Sequence, residues 1–220
     1  MGLFTVLLPQ RCAICRAPGV ALCRRCRALL VRVVPPVCER CGAPGPWPLR
    51  RCAECAGRRL GFAHARAAIV YDERARALVV AWKERGRRDL SRIAADLVVE
   101  SIARPAVDAV CFVPGDPDRT LRRGHVTARG LAEELAKRWE SPVADLLRRP
   151  APGKQQRALP RAERRSNVTQ AFVATRPAPP RVCLVDDVYT TGSTAAACSA
   201  RLRQAGARVV EVVCFARAIR

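Results

Sequence analysis

Lysine is nearly missing from this chain. Of its 40 basic residues only Lys83, Lys137 and Lys154 are lysines, leaving 37 arginines against 19 acidic residues and a formal charge of +21 over 220 residues. So one-sided a ratio, with abundant alanine, reflects genome composition as much as function, but the charge itself attracts polyanions. Aromatic residues are scarce too: three Trp, two Tyr and five Phe. That scarcity weakens any reading in which bases stack along an aromatic platform. No apolar run approaches the roughly 18 residues that a transmembrane helix needs, so a membrane span is not expected. The apolar stretch from Gly2 to Leu8 has no basic flank and runs into Pro9 and a cysteine pair. It does not read as a secretion signal. Hydrophobic residues are not lacking, at 50%. That is enough for one or two folded domains and too much for wholesale disorder.

What the chain has in excess is cysteine. Eight of its 12 cysteines lie between residues 12 and 55, as four C-x-x-C pairs: Cys12 with Cys15, Cys23 with Cys26, Cys38 with Cys41, and Cys52 with Cys55. A two-residue gap lets one tight turn aim two sulfurs at one ion, and zinc takes four thiolates in a tetrahedron. Four pairs therefore supply two closed, structural sites. Sequential pairing is the natural assignment, although spacing alone also allows a crossed one. A disulfide scaffold would suit a secreted chain, and a redox pair would need one C-x-x-C rather than four. A module this poor in large apolar side chains would draw its folding energy from the metal. Cys111, Cys183, Cys198 and Cys214 sit in apolar runs instead and read as small buried hydrophobes.

Near residue 60 the composition changes, dividing the chain into 1–60 and 61–220. Residues 1–60 hold eleven arginines and two acids, so the positive excess is shared by both parts. After that point strands alternate with helices. Strands are expected at 67–71, 107–113, 182–185 and 209–215, and helices at 89–102, 127–139 and 193–204, with Gly206 as a stop. This alternation predicts an α/β domain with a mostly parallel sheet. Residues 148–180 have no clean period and carry Lys154, Gln155, Gln156, Arg161, Arg164 and Arg165. So long a loop in a compact domain reads as an active-site cover.

The stretch from Val182 to Thr194 concentrates the chemistry. An apolar strand delivers Asp186 and Asp187 at its carboxyl end. Thr190, Thr191, Gly192, Ser193 and Thr194 follow, and then a helix begins. Ligands of open α/β sheets bind at the carboxyl ends of strands. A helix start offers free N–H groups, the hydroxyls add donors, and Gly192 lets a phosphate approach the backbone. The carboxylates repel a phosphate but suit vicinal hydroxyls, directly or through magnesium. A ligand with a phosphate at one end and a diol nearby is a ribose 5-phosphate.

This run resembles the phosphoribosyl pyrophosphate (PRPP) signature of type I phosphoribosyltransferases. With the four cysteine pairs ahead of it, the chain resembles the ComF family of competence-associated proteins, a double zinc ribbon followed by a phosphoribosyltransferase-like domain. Lys83 with Gly86-Arg87, Val113-Pro114, Arg119 with Arg122-Arg123-Gly124, and Gln156, Leu159, Arg164, Asn167 and Phe172 match further family positions. One departure stands out. After Arg123-Gly124 this chain has His125-Val126-Thr127, where the family usually has F-N-Q. The resemblance implies a type I phosphoribosyltransferase fold and displacement of pyrophosphate from PRPP, with zinc and magnesium as cofactors. It implies Asp186 and Asp187 on the ribose hydroxyls and Thr190, Thr191, Gly192, Ser193 and Thr194 on the 5-phosphate. Pro114 would enter the pyrophosphate loop, while Lys83, Arg122 and Arg123 would neutralise the departing pyrophosphate. His125 is a candidate general base. The acceptor is not identified. Two readings compete: a single-stranded DNA-binding adaptor, favoured by the charge, and a PRPP-responsive regulator without chemistry. Paired free thiols and PRPP as ligand point to the cytoplasm.

Overall fold

The computed structural model describes residues 10–150 and 172–219. The expected cover segment therefore falls largely outside the described residues, Lys154, Gln155, Gln156, Arg161, Arg164 and Arg165 included. Its described flanks form a short antiparallel pair, β3 (Leu147–Arg148) with β4 (Val173–Ala174), where a plain loop is expected.

Four strands build the main sheet: β1 (His64–Val70), β2 (Ala109–Phe112), β5 (Arg181–Tyr189) and β6 (Val209–Arg217). They lie in the order β1-β6-β5-β2, and every pairing is parallel. The two long central strands are buried along most of their length. That is why they read as continuous apolar runs rather than alternating ones. β5 corrects the expectation most. It runs to Tyr189, four residues past the apolar segment, so both aspartates lie within the strand rather than at its very end. Pairing of Asp186 with Cys214 and of Val188 with Ala216 extends the strand across the polar pair.

The helices expected near 89–102, 127–139 and 193–204 are present as α3 (Leu90–Ser101), α5 (Thr127–Trp139) and α6 (Ser193–Gln204). α3 and α5 pack on each other and on the sheet, and α6 packs on β5 and β6. Two further helices lie outside the sequence-based expectation: α2 (Glu73–Glu84), capped by Asp72, and α4 (Pro117–Arg123), capped by Asp116. The α2 pattern is legible afterwards. Ala75, Leu78, Val79 and Trp82 are buried at helical spacing. Trp82 donates to Ser91 Oγ at 3.2 Å, which ties α2 to α3. Among the described residues, no helix is long and apolar enough to cross a membrane.

Ahead of the sheet, the described part of the cysteine-rich segment carries one short helix, α1 (Arg24–Ala28). The rest is largely turns. Each half opens with the same knuckle: Cys12 N–H bonds Ala17 O and Arg16 N–H bonds Cys12 O, while Cys38 N–H bonds Ala43 O and Gly42 N–H bonds Cys38 O. The segment packs along β1, with Val70 N–H on Val31 O, Val33 N–H on Ala68 O, and Ala65 N–H on Arg40 O.

Candidate functional site

The cysteines settle into two groups. Cys12, Cys15, Cys23 and Cys26 form one, and Cys38, Cys41, Cys52 and Cys55 the other, with the four sulfurs of each group within 4.8 Å of one another. The assignment is sequential, and the crossed one is excluded by distance. Four thiolates about 2.3 Å from one ion lie about 3.8 Å apart at the corners of a tetrahedron. The sulfurs of Cys15 and Cys23 and of Cys38 and Cys55 stand at 3.7 Å, those of Cys41 and Cys52 at 3.4 Å, and those of Cys52 and Cys55 at 3.9 Å. Two four-thiolate sets with these spacings fit two zinc ions. Burial opposes ionisation of Cys12, but backbone N–H groups of Cys23, Cys15 and Ile14 outweigh it and bring the thiol down to about 6. Cys38 is treated alike by the N–H groups of Cys41, Cys52 and Arg40. The remaining cysteines, Cys111, Cys183, Cys198 and Cys214, are fully buried, and burial pushes their thiols up. They are packing residues.

A cavity of about 420 Å3 opens at the carboxyl ends of β2 and β5, a usual size for a small-molecule site. It brings together Lys83, Pro114, Arg123, Asp186, Asp187, Thr190 and Thr194 of the expected residues. Asp116, Arg119, Thr120, His125, Thr127 and Arg149 join them. Arg122 is exposed on α4 and is not on the lining, nor are Thr191, Gly192 and Ser193, which form the turn behind Thr190.

The two aspartates have different surroundings. Asp187 is buried and fully engaged: Lys83 Nζ donates to Oδ1 at 2.6 Å, and Thr127 Oγ1 donates to Oδ2. Lys83 is thus spoken for by a carboxylate. Asp186 is half-buried and accepts only the Asp187 N–H, at 2.8 Å on Oδ1, among the described residues. Burial, reinforced by the neighbouring Asp187 charge, pushes its carboxyl up to about 8, and Lys83 offsets this only in part. Arg123 pairs with Glu84, and Arg149 Nη2 stands 3.9 Å from Asp116. His125 has both ring nitrogens on carbonyls, 3.0 Å from Arg123 O and 2.9 Å from Trp82 O.

The turn after β5 is built for close approach. Gly192 has φ +73, and a Cβ there would stand 2.1 Å from Tyr189 Oη. Only glycine fits on both counts. Thr191 Oγ1 bonds Ser193 Oγ at 2.9 Å and accepts Ser193 N–H at 3.2 Å. Gly192 at the N-cap has no side chain to cap α6, and Thr191 Oγ1 takes only the Ser193 N–H, so further N–H groups of the helix start are available to an anion. Chemically, the cavity offers Thr190 and Thr194 beside the helix start, the Asp186 carboxylate, and the guanidinium groups of Arg119, Arg123 and Arg149.

Thr127 is a lining residue to which reasoning from the sequence gives no role; Arg149 falls in the 148–180 segment expected to cover the site. Thr127 lies at the departure from the F-N-Q pattern, which is the available signal.

Comparison with known proteins gives three kinds of similarity. A double zinc ribbon domain family matches residues 3–57. Competence protein F of Haemophilus influenzae is 36% identical over 116 residues, covering 50% of this chain and 51% of that protein. The match thus spans about half the length of that curated relative. Two solved structures are similar. One, the allosteric regulatory enzyme of purine biosynthesis, has 24% identity and a TM-score of 0.39 over 59% of this chain and 25% of that one. The other, a protein of Thermus thermophilus, has 20% identity and a TM-score of 0.34 over 57% of this chain and 82% of that one. At those scores the parallel sheet rests on its strand register alone.

Proposed function

We propose that this chain, a double zinc ribbon ahead of an α/β domain with similarity to competence protein F, is a ComF-like, phosphoribosyltransferase-like protein that binds PRPP with magnesium. The ribbon is taken as 1–60 and the transferase-like domain as 61–220. The observation that carries the reading is one cavity that holds the Asp186 carboxylate, whose one hydrogen bond among the described residues is from Asp187 N–H, together with Thr190 and Thr194 on either side of the glycine turn. The 5-phosphate lies on the Thr190–Thr194 turn and the ribose hydroxyls face Asp186. Asp187 acts differently from Asp186: it holds Lys83 and Thr127 in place. Arg119, Arg123 and Arg149 face the pyrophosphate end.

Hard oxygen donors at Asp186 suit magnesium, which when bound offsets pyrophosphate charge. The carbon–oxygen bond to pyrophosphate breaks with its electron pair on the leaving group, and the acceptor's lone pair forms the new bond at the anomeric carbon. The chain's part is positioning and charge stabilisation.

Calorimetry of PRPP with magnesium tests the reading. Zinc-loaded wild type binds, and the double variant Asp186→Ala, Asp187→Ala does not; absence of binding by folded wild type overturns it. The pH dependence has a fixed sign. Below about 8 the empty site holds a proton on Asp186. Magnesium-dependent affinity therefore rises as pH climbs through that value, and an affinity flat in pH would contradict the assignment. Pyrophosphate release with any acceptor separates the enzyme from a regulator without chemistry.

One observation favours polyanion contact as a second reading. Arg40, Arg50, Arg51 and Arg66 line an open cavity of about 670 Å3 where the ribbon meets β1. Its test is a steep fall in single-stranded DNA affinity with salt, reduced by Arg50→Gln with Arg51→Gln.

A further inference from the structure

Resting on the anion-turn reading above, we propose that Arg58 is a positioning residue for that turn, so that the second cysteine cluster, and not the first, sets the shape of the phosphate site. Arg58 lies three residues after Cys55, and its N–H bonds Cys55 O at 3.3 Å. Its guanidinium reaches the turn after β5. Nη1 donates to Thr191 O at 2.5 Å, and Nη2 stands 3.5 Å from Ser193 Oγ.

The geometry of the peptide gives this contact a consequence. Thr191 C=O and Gly192 N–H belong to one planar trans unit and point in opposite directions. Anchoring the carbonyl on Arg58 turns the Gly192 N–H away from the ribbon. That N–H has no partner among the described residues. A freely rotating Gly192 could flip this unit at little cost; the guanidinium prevents it.

A second bridge leaves the same ribbon loop. Glu54 Oε2 accepts Arg217 Nη2 at 2.6 Å, Arg217 Nη1 donates to Cys41 O at 2.6 Å, and the guanidinium lies 4.6 Å from the Tyr189 ring centroid. Tyr189 is the side chain on which Gly192 rests. The crest and the base of the turn are therefore both tied to the loop around Cys52 and Cys55. The first cluster's contacts go elsewhere, to Asp89 through Gln10 and to Glu100 through Arg27 and Arg32. Because ribbon modules fold on their metal, loss of the second ion would free Arg58 and Glu54 together.

The test is amide hydrogen exchange on the full zinc-loaded chain, read as the ratio of exchange in peptide 190–194 to that in β6. In Arg58→Gln the ratio rises roughly tenfold, and in Arg24→Gln, an exposed control on the first cluster, it stays at the wild-type value. Cys55→Ser raises the ratio and Cys15→Ser does not. An unchanged ratio in Arg58→Gln, or an equal rise in both cysteine variants, overturns the proposal. Titration with ribose 5-phosphate separates this inference from the functional reading. Roughly tenfold weaker binding in Arg58→Gln supports both. No binding by wild type, with the exchange effect present, refutes the ligand and leaves the positioning role standing.

Discussion

The two cysteine clusters share a covalent pattern and a knuckle, yet they bear on the rest of the molecule differently. At equivalent positions the backbone turns left-handed, at Arg16 with φ 65 and at Gly42 with φ 72. Arg16 is exposed at the surface. A Cβ on Gly42 would stand 2.4 Å from Ala65 O, against β1. The first cluster is joined to α3 by ion pairs on Glu100, whose side chain is 45% exposed. The second is joined to β5 and β6 through Arg217, whose side chain is 1% exposed. A C-x-x-C pair specifies a metal corner; what the corner supports is decided by the residues beside it and by the surface it meets.

That contrast can be broken or sharpened by substitution. The largest effect is expected for Glu54→Ala, which strands a buried guanidinium. Loss of about 3 kcal/mol of unfolding free energy is predicted, measured by denaturant titration of the zinc-loaded chain. The matching change on the first cluster, Glu100→Ala, removes a half-solvated partner and costs under about 1 kcal/mol. Similar losses for the two would mean that the clusters are equivalent braces. Gly42→Ala comes next. Strained φ and the clash with a backbone oxygen should together cost about 2 kcal/mol, with a visible fall in Tm. Arg16→Gly is the smallest, a gain of up to about 1 kcal/mol from relieving a left-handed residue at the surface. A larger penalty at Arg16 than at Gly42 would reverse the comparison.

Some of this is readable in the sequence and some is not. α5 and α6 have the bounds that their apolar periodicity predicts, and Gly206 follows α6 as its stop. Local hydropathy ends β5 too early, because the apolar run stops at Val185 and the two carboxylates mark its expected end. Parallel pairing with β6 keeps them in the sheet. α2 escapes the periodicity because Leu78 to Trp82 is one continuous apolar run, with arginines only in its first turn. The aspartates look like twins in the sequence, and the structure separates them: Lys83 and Thr127, 104 and 60 residues away, converge on Asp187, while Asp186 accepts only the Asp187 N–H among the described residues.

By itself the sequence determined which atoms could bind metal, where the strand–turn–helix unit would lie, and which glycine its turn needs. Those properties depend on spacings of a few residues, within which the chain has little freedom. Only the tertiary structure decided which cysteine pairs share an ion, which aspartate stays open, and that Arg58 of the ribbon holds a carbonyl 133 residues further on. Such contacts are made when separate elements pack, and local spacing carries no record of which surfaces will meet.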